Sequence, residues 1–236
     1  MGGLSSKLST AVPELYYHPA RGKAEQIRLL LSESGIEWND VTYEPDERGE
    51  FLAKASKLGG NLTTNIPMLK LDGKCYTQSS VILRYVARRV GLFPSDVEQL
   101  YRVENLIEAC EDFRIAAYKP IIPTLMGGVA TDEVKDAYRS TAPKHLANFE
   151  RLLLEDNIGT HDEGEARAIF FVGNRLSVAD IAVYDVLSTY ASRLQPTCLE
   201  DYPTLKVFFE SMAVRPRIAR WQSSERHRAL HAFGAL

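Results

Sequence analysis

The 236 residues carry a formal net charge of -3, with 45% hydrophobic and 25% charged side chains, the balance of a globular chain that buries a sizeable core. Such a charge recommends neither nucleic acid nor an acidic membrane as a partner. The three cysteines, Cys75, Cys110 and Cys198, form neither a disulfide framework nor a metal-ligand spacing, which suits a reducing compartment, and no metal is expected.

Along the chain, Met1-Gly2-Gly3-Leu4-Ser5-Ser6 fits the N-myristoylation pattern, within residues 1–12 that otherwise read as a flexible extension. One acyl chain binds membranes only marginally, so membrane contact is expected only if Gly2 is acylated. No apolar run approaches the ~20 residues that span a bilayer, and residues 1–13 lack the apolar stretch of a secretory leader.

Leu15-Tyr16-Tyr17 reads as a strand, and residues 23–34 as a helix with Ile27, Leu30 and Leu31 on one face and Gly35 at its C-terminal cap. Val41-Thr42-Tyr43 follows as a strand and residues 51–58 as a short helix. Pro67-Met68-Leu69-Lys70-Leu71 alternates as a strand, turns at Asp72-Gly73 and returns through Cys75-Tyr76. A helix with Val81, Ile82, Tyr85, Val86 and Val90 on its apolar side completes the order βαβα–ββα. This predicts an α/β domain with a mixed sheet over residues 13–92.

After Pro94 the strand signals stop. Residues 97–126 and 132–156 are long helical patterns, with Pro120, Pro123 and Gly127-Gly128 expected to bend or end the first. Ser177-Val178-Ala179-Asp180 opens another helix as a capping box, and Pro203 begins a further one. The second domain, residues 97–222, is therefore predicted to be all-helical, leaving 223–236 as a tail. The basic tract from Arg215 to Arg228 reads as a solvated helical face rather than a polyanion site.

Tyr17 precedes Arg21-Gly22-Lys23-Ala24-Glu25 and a helix start, which sets a strand-end hydroxyl beside free N–H groups that favour an anion. Ile66-Pro67 opens the third strand, where proline is tolerated and open to the cis form. Gln78-Ser79-Ser80 begins another helix, with Ser79 placed as its N-cap. In this order, Tyr-x-x-x-Arg-Gly-x-Ala-Glu, Ile-Pro, Gln-Ser-Ser-x-Ile-x-Arg-Tyr and Ser-Val-Ala-Asp resemble the cytosolic glutathione transferases over roughly residues 13–222. The spacing is nearest the tyrosine-type classes, sigma above all, with alpha, mu and pi related.

The resemblance implies a thioredoxin-like N-terminal domain with a four-stranded mixed sheet and an all-α C-terminal domain. It also implies a cytoplasmic homodimer that uses glutathione as co-substrate against small hydrophobic electrophiles. Tyr17 matches the catalytic tyrosine, and Tyr16 points to the other face. Ile66 would pair its backbone with the cysteinyl part of glutathione, Pro67 would shape that contact, and Gln78 and Ser79 would hold the γ-glutamyl end. Lys23 stands where arginine is frequent, and Asp112, after Glu111, would reach the γ-glutamyl amine of the neighbouring subunit. Phe51 is taken as an aromatic wall near the glycine carboxylate, with Lys54 and Lys57 left open. The segment 59–65 is longer than usual, and Asn65 replaces a frequent lysine or glutamine. An electrophile pocket between the domains is expected to use Tyr118, Ile122, Leu125 and Met126.

A glutathione-dependent isomerase of the prostaglandin D synthase kind, and a binding protein akin to lens crystallins, are the alternatives. The thiol-disulfide branch of the fold needs a cysteine at the first strand's end, and residues 14–22 contain none.

Overall fold

A computed structural model describes residues 11–59, 65–125, 129–157 and 169–231. Gly2, most of the 59–65 segment, Met126 and the Leu125 side chain lie outside the described residues, and so do residues 232–236 of the tail.

The described residues group into two compact units, one reaching Phe93 and also including Pro216–His231, the other Pro94–Arg215. In the first, β1 (Glu14–Tyr16), α1 (Glu25–Glu33), β2 (Asn39–Val41), α2 (Arg48–Gly59), β3 (Met68–Leu71), β4 (Lys74–Thr77) and α3 (Ser79–Arg89) follow in chain order. The four strands form one sheet in the order β2-β1-β3-β4, with β1 and β2 parallel and the other pairs antiparallel. The mixed sheet anticipated from βαβα–ββα is thus present. The hairpin between β3 and β4 turns on Asp72 and Gly73, at φ 52° and 74°, the pair of positive angles that a two-residue loop requires.

Period-two alternation separates the sheet's faces. Tyr16 and Met68 meet Phe51 and Ala55 of α2 in one cluster, bordered by Val41, Tyr43, Ile66 and Cys75. Leu15, Leu69, Ile27, Leu30, Ile82, Leu83 and Val86 are all fully buried, and α1 and α3 pack together. Expected and observed ends differ at β2, which stops at Val41 where its pairing with Tyr16 ends. Tyr43 turns instead into the Phe51 cluster, with ring centroids 4.8 Å apart. Helix α2 starts earlier than the apolar pattern did. Pro45–Glu47 forms a 3-10 turn with a Glu44–Glu47 capping box, and that turn runs into Arg48.

The second unit contains α4 (Val97–Leu125), α5 (Asp132–Asn157), α6 (Val178–Asp185), α7 (Ser192–Leu194) and α8 (Pro203–Ala213). Pro120 and Pro123 do not end α4, which continues to Leu125. Ser177 and Asp180 form the anticipated capping box, and Asp180 also accepts the Phe171 N–H at 2.8 Å. A π-helical turn at Val186–Ala191 links α6 to α7. Arg114 lies fully buried between Asp185, at 2.6 Å, and Glu111, at 2.5 Å, so Glu111 is tied inward.

Two further helices, α9 (Pro216–Ser223) and α10 (Glu225–Ala229), group with the first unit, whereas the sequence placed residues up to 222 in the helical domain. Their anchors are polar and remote in sequence. Trp221 Nε1 donates to Glu25 at 2.7 Å, Ser32 Oγ to the Arg217 carbonyl at 2.9 Å, and Arg217 to the Glu33 carbonyl at 2.8 Å. The basic tract is accordingly a docked segment in part, and not wholly a solvated face.

Candidate functional site

The strand register brings the candidate residues to one end of the sheet. Tyr16 pairs with Met68, and Met68 with Thr77, so these three stand in one row across adjacent strands. Tyr17 leaves the row from β1, Ile66-Pro67 enters it before β3, and Gln78-Ser79 follows it after β4. Neighbouring strands stand about 4.8 Å apart, so residues far apart in the chain become neighbours along this edge.

Tyr17 is 8% exposed, and its Oη accepts the Lys23 N–H at 3.0 Å. Gly22 makes the approach possible: it sits at φ +42°, and an added Cβ would fall 2.6 Å from the Tyr17 oxygen. Lys23 therefore contributes through its backbone, in the 3-10 turn Gly22–Ala24 ahead of α1. Tyr16 has the other fate. It donates to Glu14 at 2.6 Å, and burial, helped by that carboxylate, pushes its phenol up to about 12. His18 lies against Tyr17, with ring centroids 5.1 Å apart, and its Nδ1 is hydrogen-bonded to the Tyr43 hydroxyl. Burial, with Arg48 nearby, lowers its pKa and favours the neutral ring.

The Ile66-Pro67 bond is cis. The Ile66 N–H donates at 2.9 Å to Asn65 Oδ1, a contact for the residue whose partner the sequence left open. Gln78, rather than Ser79, is the N-cap of α3, because its carbonyl already accepts the Ile82 N–H while its own backbone lies at φ 71° and ψ 110°. For a non-glycine residue such a conformation costs on the order of 1–3 kcal/mol, and strain of this kind clusters at binding sites. Gln78 is exposed and Ser79 is buried as the first helical residue.

Phe51 of α2, 8% exposed like Tyr17, packs on Tyr43 and Tyr16 in the cluster that Ile66 borders. Lys54 and Lys57 are exposed on the same helix. In the second unit, Asp112 is exposed on α4 beside Ile115, which is 60% exposed, and the two help line a cavity of about 330 Å³ with Tyr138 and His145. Tyr118 is hydrogen-bonded to Tyr190 at 3.2 Å, while Ile122 is 51% exposed. Cys110 and Cys198 are buried and Cys75 partly so, and burial pushes all three thiols up, away from the reactive thiolate. Among the described residues, no group of three or more His, Cys, Asp or Glu is arranged to hold a metal ion, and no helix is long and apolar enough to cross a membrane.

Sequence reasoning missed the residues that hold the 19–21 loop. Arg28, buried in α1, donates to the carbonyls of Ala20 at 3.0 Å and Arg21 at 3.3 Å, and pairs with Asp40 at 2.8 Å and Glu25 at 3.3 Å. The available signal was a charged residue inside the apolar run Ile27 to Leu31, since a buried charge needs partners.

Residues 13–88 match the family model for the glutathione S-transferase N-terminal domain, and residues 117–225 that for its C-terminal domain. Among curated relatives, glutathione S-transferase P 10 of Caenorhabditis elegans is 32% identical over 212 residues, which are 88% of this chain and 89% of that protein. Glutathione S-transferase P 1 of Bufo bufo is 29% identical, covering 91% and 93%, and glutathione S-transferase A4 of Mus musculus is 29% identical, covering 89% and 88%. The solved pi-class glutathione S-transferase of Onchocerca volvulus superposes with a TM-score of 0.75 at 28% identity, covering 89% of this chain and 92% of that one. Their names favour a transferase over the isomerase and binding-protein readings. They are P and A4 names, so they lend the sigma class no specific support.

Proposed function

Since this chain belongs to the glutathione S-transferase family, we propose that Tyr17 holds the sulfur of glutathione as a thiolate, which then attacks hydrophobic electrophiles. The observation that carries this reading is the buried Tyr17 Oη beside Gly22, accepting the Lys23 N–H at 3.0 Å. A phenol oxygen that accepts one N–H is fixed in place, and its own O–H is the donor for a ligand anion. A free thiol titrates near ~8.5, and lowering it by two units needs about 2.7 kcal/mol of preference for the charged form. One hydrogen bond to a charged group contributes about 1.5–3 kcal/mol, so Tyr17 and the helix start suffice. The thiol proton goes to solvent, sulfur bonds to the electrophilic carbon, and the leaving group departs with its electron pair.

Gln78 and Ser79 would hold the γ-glutamyl end, and the backbone of Ile66 would pair with the cysteinyl part, with Pro67 shaping the contact. For that pairing, Asn65 Oδ1 must yield the Ile66 N–H. Phe51, packed on Tyr16 in the cluster that Ile66 borders, would serve as an aromatic wall near the glycine carboxylate. Asp112 would act across a homodimer, which predicts dimeric sedimentation at working concentration.

The test is conjugation of glutathione to a generic aromatic halide. Tyr17→Phe should lose at least tenfold in kcat/KM near neutral pH while its fold is retained. Full turnover by that variant would remove the thiolate role from Tyr17.

A further inference from the structure

The loop that presents the Lys23 N–H to Tyr17 is held from both sides, and one side is the far end of the chain. Residues Ala20 and His231 form a parallel bridge: the Arg21 N–H donates to the His231 carbonyl at 3.2 Å, and the His231 N–H donates to the Pro19 carbonyl at 3.0 Å. From within α1, Arg28 takes the carbonyls of Ala20 and Arg21, and the Glu25 N–H adds a second donor to the latter at 3.1 Å. The carbonyls of residues 19, 20 and 21 are thus all engaged immediately before Gly22.

The segment that supplies His231 is itself pinned at several points. His227 Nε2 lies 3.3 Å from the buried Glu25, whose other oxygen faces Arg28. Arg226 donates to the Trp38 carbonyl and to Asp40, both at 3.0 Å, and its guanidinium lies 4.7 Å over the Trp38 ring. Trp38 and Trp221 meet edge to face at 5.0 Å. Asp40 is shared, accepting from Arg28 on one oxygen and from Trp38 and Arg226 on the other. Glu25, Arg28 and Asp40 therefore join the catalytic loop and the C-terminal segment in one polar network. A network of this kind has discrete geometry, and the loop inherits it.

We propose that residues 224–231 are a positioning element for glutathione activation: through the His231 backbone they hold the 19–21 loop so that the Lys23 N–H meets the Tyr17 oxygen. This rests on the thiolate role of Tyr17. Among the described residues its contacts run to the 19–21 loop backbone, Glu25, Trp38 and Asp40. Its effect is confined to how well Tyr17 is aimed, and small errors of aim are costly in a preorganised site.

His231→Pro is the sharpest probe. It deletes the N–H that reaches Pro19, at an exposed residue, and Leu230 already has φ -76° and ψ 132°, the extended backbone a residue before proline adopts. The expected result is a rise in the apparent thiol pKa, read from kcat/KM against pH. A rise of roughly half a pH unit is about a twofold loss at pH 6.5, tending to about threefold at lower pH, and should fade once the thiolate is fully formed. His231→Ala retains the N–H and should retain the wild-type profile. A His231→Pro profile that superimposes on wild type overturns the proposal, and so does an equal shift in His231→Ala. Tyr17→Phe, measured alongside, separates the two levels. If its profile moves and that of His231→Pro does not, only the positioning role fails. If Tyr17→Phe leaves the profile unmoved, the thiolate reading fails first.

Discussion

Replacing Gly22 by alanine changes one methyl group and strikes the Tyr17 oxygen directly. The new Cβ would lie 2.6 Å from Oη, 3.0 Å from Cε1 and 3.2 Å from Cζ, where ordinary contact begins at 3.4 Å. The ring must therefore retreat by about 0.8 Å from a pocket in which it is 8% exposed, and the 3.0 Å bond from Lys23 is lost with it. A displacement near 1 Å of a catalytic group costs up to about a hundredfold, so kcat/KM should fall about tenfold to a hundredfold. Alanine at φ +42° adds backbone strain, and with overpacking the fold should lose about 1–3 kcal/mol in denaturant unfolding. The decisive assay is the double-mutant cycle with Tyr17→Phe. Phenylalanine has no Oη, so the worst clash and the proposed hydrogen-bond donor to the thiolate vanish together, and adding Gly22→Ala to it should cost little further activity. Additive losses would mean that Gly22 acts through something other than Tyr17.

Glu25 links pH to the fold. Burial alone would raise its pKa, but the His227 hydrogen bond, Arg28 and the Trp221 N–H hold it below the usual 4.5. A depressed carboxyl contributes stability above its unfolded pKa and loses it as pH falls through the folded one. Wild type should therefore lose this contribution below about pH 4.5 in chemical denaturation, and Glu25→Gln should lack that part of the acid limb. At neutral pH Glu25→Ala should cost about 1–3 kcal/mol, because the buried Trp221 N–H loses its acceptor while Arg28 keeps Asp40, and a loss within error would contradict the network. In the second unit, Ser177→Ala should cost about 1 kcal/mol of cap energy. Asp180→Ala should cost more, about 2–4 kcal/mol, because it strips acceptors from the buried N–H groups of Phe171 and Ser177. Neither should change kcat of the folded protein.

Much of the fold was legible because its signals are local. The Asp72-Gly73 turn fixes a hairpin, the hairpin sets the Met68–Thr77 register, and the pairing with Tyr16 then gathers Tyr17, Pro67 and Gln78 at one edge. The site's outline follows from that register once the strands are recognised. The packing of Phe51 was not legible because an aromatic residue on a short amphipathic helix can face either way, and Tyr16, Tyr43 and Met68 supply the apolar neighbours that decide it. The N-cap of α3 was off by one residue because Gln78 holds a backbone conformation no propensity would assign to it. The docking of residues 216–231 was illegible for a different reason. Trp221 and Glu25 are 196 positions apart, and a single hydrogen bond at that separation leaves no periodicity to read. Arg28 stands between these cases, since its charge in an apolar run signalled a partner without naming one.

One proton decides the role of Tyr17, and titration of glutathione's thiol in its complex with the enzyme, followed by thiolate ultraviolet absorbance, reads it. Wild type should bind the thiolate with an apparent pKa about two units below the free value of ~8.5, and Tyr17→Phe should return it toward that value. An unshifted thiol in the wild-type complex, or the same depressed value in Tyr17→Phe, would contradict that role.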